Sequence, residues 1–232
     1  MENEFAFDAA KKFYEKIENL KIYKLTSEWP DVPSNLPGWG IGIMYEKGEN
    51  AFGGEKITYI TYNKSFGNLG NRLKNHFLMR NRTQRKRSSW RNHVARALIT
   101  KNHDDLELLD LWNGSRETRK EKTSILKASN PKYIKEKLEE YEDLVDEYLQ
   151  GKFSFSIIPV SDRKDQRRLR SRIISTLAQA KSIPISENWL GKFAVDGESS
   201  RISVNGIWNI ECSKGKILDD EDFDLLDECL KL

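Results

Sequence analysis

Between Phe77 and His103 the chain carries no acidic residue, while Arg80, Arg82, Arg85, Lys86, Arg87, Arg91, Arg96 and Lys101 all fall inside that window. A second basic group, Arg163, Lys164, Arg167, Arg168, Arg170 and Arg172, occupies one helix-like stretch. The acids concentrate elsewhere, over 104–110, 136–147 and 219–228. Two arginine-rich windows held apart from the acidic ones form the electrostatic footprint of a polyanion binder, although a charge run by itself is equally a solvated helix face. The net charge is only +3, so local distribution rather than the sum would steer a partner. Upstream, Tyr59 sits in a β-branched and aromatic run, and Arg72 and His76 follow four residues apart, a spacing that puts both on one helical face. His93 and His103 have no such partners and read as surface residues of the basic segment. The two cysteines, Cys212 and Cys229, are too few for a disulfide scaffold or a cysteine zinc site and read as plain thiols.

The elements that must position these residues follow from periodicity. Residues 5–20 place Phe5, Ala9, Phe13, Ile17 and Leu20 at helical spacing. Residues 21–26 alternate as a short strand, and 29–39, with Pro30, Pro33, Pro37 and Gly38, form a loop. GIGIMYE (40–46) and KITYITY (56–62) predict two antiparallel strands joined through the glycine-rich GENAFGG. Helices are predicted over 68–78 (Leu69, Leu73, Phe77 inward), over 88–100 behind a serine cap, and over 130–149 behind an Asn-Pro start. FSFSIIPV (153–160) alternates as a third strand, 162–180 returns to helix with Leu169, Ile173, Ile174 and Leu177 inward, and 207–212 reads as a further strand. Residues 114–129 are polar and unpatterned, a loop or insertion. The six tryptophans follow apolar faces and read as core or loop anchors.

This order predicts an α+β fold, a small, mostly antiparallel sheet covered by helices with helical additions at both ends. At 232 residues, 38% hydrophobic and mean hydropathy −0.71, the chain can bury a core and has a well-solvated surface. No apolar run approaches the roughly 18–20 residues a bilayer requires, and MENEFAFDAAKK lacks a signal-peptide pattern, so a cytoplasmic protein is expected.

Gly40-Ile41-Gly42, then Tyr59-Ile60-Thr61 in the second strand, then Arg72 and His76, resembles the GIY-YIG nuclease superfamily, of the bacterial restriction or defence sort. Further pieces are similar in order and spacing: Ser88-Ser89-Trp90 opening a helix, FSFSIIPV before LRSRIISTLAQA, then Ser186 to Gly191 and Asn205 to Asn209. The resemblance implies a domain over 37–212 with a helical insertion around 104–150, preceded by a helix and lead-in over 1–36 and followed by an acidic helix over 213–232. It implies an endonuclease that hydrolyses DNA phosphodiesters with Mg²⁺, a metal held by one carboxylate plus phosphate and water oxygens. On the matched positions Tyr59 stands near the attacking water, Arg72 holds the scissile phosphate, and His76 assists the tyrosine or contacts phosphate; Asn188 matches the structural asparagine. Lys64 would supply a further cation. The DNA-binding set is Lys64, Arg80, Arg82, Arg85, Lys86, Arg87, Arg91, Arg167, Arg168 and Arg170.

Two positions depart from that pattern. Gly42 stands where the first motif ends in tyrosine, and Arg170 stands where the pattern puts the metal-binding glutamate. Arginine stays protonated and ligates no cation. Asp162 and Asp165 precede it on the same helix, but Asp165 lies about 140° around the helix from Arg170. Two expectations stand side by side: a Mg²⁺-dependent endonuclease acting through Tyr59, Arg72 and His76, or a catalytically silent relative that binds nucleic acid or serves as a regulatory subunit. DNA is the expected partner, with RNA, a protein partner and a homodimer left open. The 130–149 helix and the acidic tail are the segments to present to a protein.

Overall fold

The hairpin at the heart of the chain forms where β-branched and aromatic residues are densest. In the computed structural model, which describes residues 2–24, 32, 36–77, 88–102, 108–109, 112, 130–194 and 200–232, it consists of β2 (Trp39–Ala51) and β3 (Gly54–Tyr62). The turn is tighter than the glycine-rich stretch predicts. Strand pairing continues past a bulge to Ala51 opposite Gly54, leaving a two-residue loop, Phe52-Gly53, with φ of +50° and +85°. Positive φ at both central residues is the turn whose twist matches a hairpin, and Gly53 adopts it without strain. With β1 (Tyr23–Lys24) and β4 (Phe153–Val160) the sheet has the order β1-β4-β2-β3, every pair antiparallel.

The pleat sends alternate residues to opposite faces, and each face is buried. On one, Ile41, Ile43, Ile60 and Ile158 pack with α1 (Glu2–Ile17), α5 (Arg163–Gln179) and α7 (Asp220–Cys229) through Phe13, Leu169, Ile173, Phe223 and Leu226. On the other, Met44, Tyr59 and Phe155 meet α2 (Leu69–Phe77), α3 (Ser89–Lys101) and α4 (Pro131–Lys152) through Leu73, Phe77, Trp90, Val94, Tyr141 and Val145. The terminal helices α1 and α7 thus share one core with α5. A short α6 (Ser200–Asn205) and a 3-10 turn (Leu190–Phe193) complete the described elements. The architecture is α+β, helices on both faces of an antiparallel sheet.

Local chemistry sets the helix starts. Ser88 Oγ accepts from Arg91 N at 3.2 Å to open α3, Asn130 and Pro131 open α4, Asp162 accepts from Lys164 N and Asp165 N to open α5, and Asp219 and Asp222 form a reciprocal capping box at α7. Asp162 is thereby committed to its cap.

The strand predicted over 207–212 does not form. β3 is the sheet's edge, and this segment covers it by other means: Asn209 Oδ1 accepts from Ile60 N at 2.8 Å, its Nδ2 donates to Ile60 O at 3.0 Å, and Trp208 N donates to Thr58 O at 2.6 Å. A side-chain amide satisfies a residue of the edge where a ladder would otherwise be needed. No helix among the described residues is long and apolar enough to cross a membrane. The loop reading of 114–129 and most of that of 29–39 fall outside the described residues.

Candidate functional site

Tyr59, Arg72 and His76 converge. β3 points Tyr59 to the face covered by α2 and α3, where its ring stacks on Trp90 with centroids 4.3 Å apart and 16° between planes. His76 meets Tyr59 edge-on at 5.5 Å, and its Nε2 lies 2.9 Å from Thr61 Oγ1. Burial raises the Tyr59 hydroxyl above its ordinary value; Arg72 and Arg170, close enough to act through their charge, oppose this. Burial first, then Arg72 and Arg91, push His76 well below the usual imidazole range. At neutral pH the cluster is therefore a phenol and a neutral imidazole within the field of three guanidinium groups, Arg72, Arg91 and Arg170. Arg72 Nε, His76 Nδ1 and Arg170 Nε are buried and carry no hydrogen-bond partner; the two guanidinium N–H groups are donors suited to an anion.

Arg170, on α5, acts on Tyr59 through its charge. Its side chain is about 10% exposed, its guanidinium lies over the Tyr62 ring at 4.3 Å, and its Nη2 pairs with Glu211. The pairing was not foreseen from sequence, since Glu211 is 41 residues away in an irregular segment. These residues do not fit a divalent cation. Where the nuclease pattern needs a carboxylate there is a permanent positive charge, the adjacent carboxylate is already neutralised by it, and no group of three or more His, Cys, Asp or Glu suited to a metal occurs among the described residues. The first-motif position is closed as well. A Cβ on Gly42 would fall 2.8 Å from Thr61 Cγ2 and 3.2 Å from Leu73 Cδ2, so packing already fills the space a tyrosine would need.

The other expected site residues scatter. Arg91 is buried and donates to His76 O at 3.1 Å while pairing with Glu142 at 3.2 Å and Asp146 at 2.5 Å; it is a core ion-pair residue, not a surface cation. Arg168 pairs with Asp222 at 2.6 Å and Glu221 at 3.1 Å, so α7 uses part of its acidity inside the molecule. Lys64 and Arg167 are exposed. Arg80, Arg82, Arg85, Lys86 and Arg87 lie outside the described residues, as does His103. Asn188 is exposed, and the buried asparagine that braces the site's strand is Asn209, through the two bonds to Ile60.

His93 is a correction too, buried rather than on the surface, with burial and Arg96 lowering it to about 4. Below pH 6.5 the unfolded chain takes up a proton that folded His93 refuses until about pH 4. Stability is therefore expected to fall by ~3 kcal/mol across that window. Urea titrations at pH 7 and pH 4.5 on the parent and His93→Gln should show a smaller acid loss in the variant; equal losses would exclude His93 as a source.

A hairpin with a tyrosine in its second strand, an Arg–His helix behind it, and a third strand leading into a helix over the sheet define a nuclease-type α+β domain. Residues 6–231 match the family model of the GIY-YIG domain, and the chain belongs to that family. Members of the family that cut are typically dependent on a divalent metal. No curated protein and no solved structure matches the chain.

Proposed function

We propose that this chain binds DNA through a backbone phosphate held by Arg72 and Arg170 beside Tyr59 and His76, and does not hydrolyse it by the metal-dependent route of its family. The observation that carries this reading is Arg170, paired with Glu211, at the position the pattern gives to the metal-binding glutamate. Closure of the space at Gly42 and the buried, protonated state of Tyr59 support it. Arg72 supplies charge-assisted donors to the phosphate, Arg170, its charge partly offset by Glu211, adds its unpartnered Nε, and neutral His76 orients against Thr61 rather than withdrawing a proton from water. The setting is cytoplasmic, where Cys212 and Cys229 remain thiols.

On supercoiled plasmid with Mg²⁺ or Mn²⁺ the unmodified chain is expected to bind without nicking. Arg72→Ala should weaken binding about 10-fold and reduce the slope of log affinity against log salt by roughly one, as loss of one phosphate contact requires. Equal affinity for RNA of the same length would widen the partner to nucleic acid in general. The convergence of Tyr59, Arg72 and His76 supports a second reading, a Mg²⁺-dependent endonuclease of restriction or defence type. Metal-dependent nicking that Arg72→Ala abolishes would establish that reading and overturn the first.

A further inference from the structure

The connection between β3 and α2 is clamped. Asn63 is buried, donates from Nδ2 to Gly38 O at 2.7 Å and Ser65 O at 2.8 Å, and accepts at Oδ1 from Gly40 N at 3.0 Å and Gln166 Nε2 at 2.7 Å. Gly67, at a φ of +70°, donates its N–H to Gly38 O at 2.8 Å. What these bonds hold in place is Phe66, which is 73% exposed. Its ring lies across Gly38, so closely that a Cβ there would fall 2.2 Å from it, and meets Trp39 edge-on at 5.7 Å. A single exposed apolar side chain is ordinary on a protein surface; Phe66 differs in being carried by a loop tied down on both sides.

The surroundings of the ring are basic. Exposed Lys64 and Arg167 lie on the same loop and on α5, and the Arg163 guanidinium is 5.8 Å from the Trp39 ring centre. Arg163, Gln166 and Arg170 are spaced i, i+3 and i+7 on α5, spanning about 10 Å. Arg163 stands at the aromatic pair, Gln166 at the clamp, and Arg170 over the Tyr62 ring, near enough to Tyr59 to act on it through its charge. Of the acids on this turn, Asp162 is used by its helix cap. An isolated flat ring among cations, roughly one to two nucleotides from a phosphate-binding cluster, fits a nucleobase better than an apolar protein surface, which would demand a broad patch.

We infer that Phe66, backed by Trp39, is a stacking site for one unpaired nucleobase of the strand whose phosphate lies at Arg72 and Arg170. The inference rests on the DNA-binding reading above and adds to it a preference for single-stranded or locally unpaired nucleic acid. Such a base would lose its water-exposed face to the ring while its backbone stays on the arginines.

The test compares a single-stranded oligonucleotide carrying one 2-aminopurine with a duplex of the same sequence, on the parent, Phe66→Ala, Phe66→Trp and Arg72→Ala. The expected result is 2-aminopurine quenching by the parent, an about 10-fold loss of single-strand affinity in Phe66→Ala, recovery in Phe66→Trp, and unchanged duplex affinity and melting temperature in both Phe66 variants. Arg72→Ala should weaken both nucleic acids alike. Unchanged single-strand affinity in folded Phe66→Ala overturns the inference and leaves the phosphate reading standing. An equal loss on duplex overturns it too, because the ring would then contact backbone or groove. A change of oligomeric state in Phe66→Ala with nucleic-acid affinity intact assigns the ring to a second copy instead. If the parent binds no nucleic acid, both readings fall.

Discussion

Glu46→Ala is expected to lower the unfolding free energy by at least ~4 kcal/mol, since each buried donor left without a partner costs about 1–3 kcal/mol. Glu46 is 2% exposed, and its carboxylate accepts from Thr58 Oγ1 at 2.7 Å, Trp189 Nε1 at 3.0 Å, Trp208 Nε1 at 3.1 Å and the Tyr148 hydroxyl. Those donors come from β3, from two segments of the 186–210 region, and from α4. One side chain thus holds the hairpin, the long helix and the edge-covering segment together. Against a total stability of about 5–15 kcal/mol, the loss brings the chain close to unfolding at room temperature. Glu46→Gln keeps an acceptor oxygen and should cost less. Burial raises the Glu46 carboxyl above its ordinary 4.5, opposed by its four hydrogen bonds. The folded state therefore holds a proton that the unfolded state releases, so stability from this group is greatest below pH 4.5 and declines as pH rises through the folded value; Glu46→Gln should remove that slope. Urea unfolding followed by tryptophan fluorescence reads all of this through Trp189 and Trp208 themselves. A Glu46→Ala protein within about 1 kcal/mol of the parent, less than a single stranded donor costs, would show that water replaces the carboxylate.

Arg91→Ala is expected to cost about 3–5 kcal/mol, the usual penalty for removing one partner of a buried ion pair. The guanidinium joins α3 to the end of α2 through His76 O and to α4 through Glu142 and Asp146, and Glu142 is itself buried. Without Arg91 the buried Glu142 and the half-buried Asp146 lose the guanidinium they share. Burial raises Asp146 and Arg91 opposes that rise, so in the variant Asp146 should protonate more readily on folding and the deficit should grow as pH increases. DNA affinity and its salt slope, measured where the variant is folded, should match the parent. A stable Arg91→Ala protein with weakened, less salt-sensitive binding would return Arg91 to the nucleic-acid surface.

The hairpin, α2, α3, α5 and the caps of α3 and α4 were legible in sequence because each depends on near neighbours: alternation over a strand, apolar residues three and four apart, a serine or an Asn-Pro pair ahead of a helix. The GIY-YIG layout was legible for the same reason, since its motif residues recur at local spacings on those elements. The Tyr59–Arg72–His76 grouping followed from that layout. The fates of the arginines did not. Arg91, Arg168 and Arg170 look alike in a basic run, yet their carboxylate partners stand 51, 54 and 41 residues away, and nothing local separates a guanidinium in water from one in an ion pair. The same holds for Ile207 to Cys212, whose composition suits a strand but which closes the sheet edge with the Asn209 side chain, and for the choice of Asn209 over Asn188. The sequence by itself determined most of the elements, the family and the presence of an arginine at position 170. Only the tertiary structure decided which charges are neutralised and which remain available, because pairing energy depends on distance and burial, and both are set by how distant segments pack.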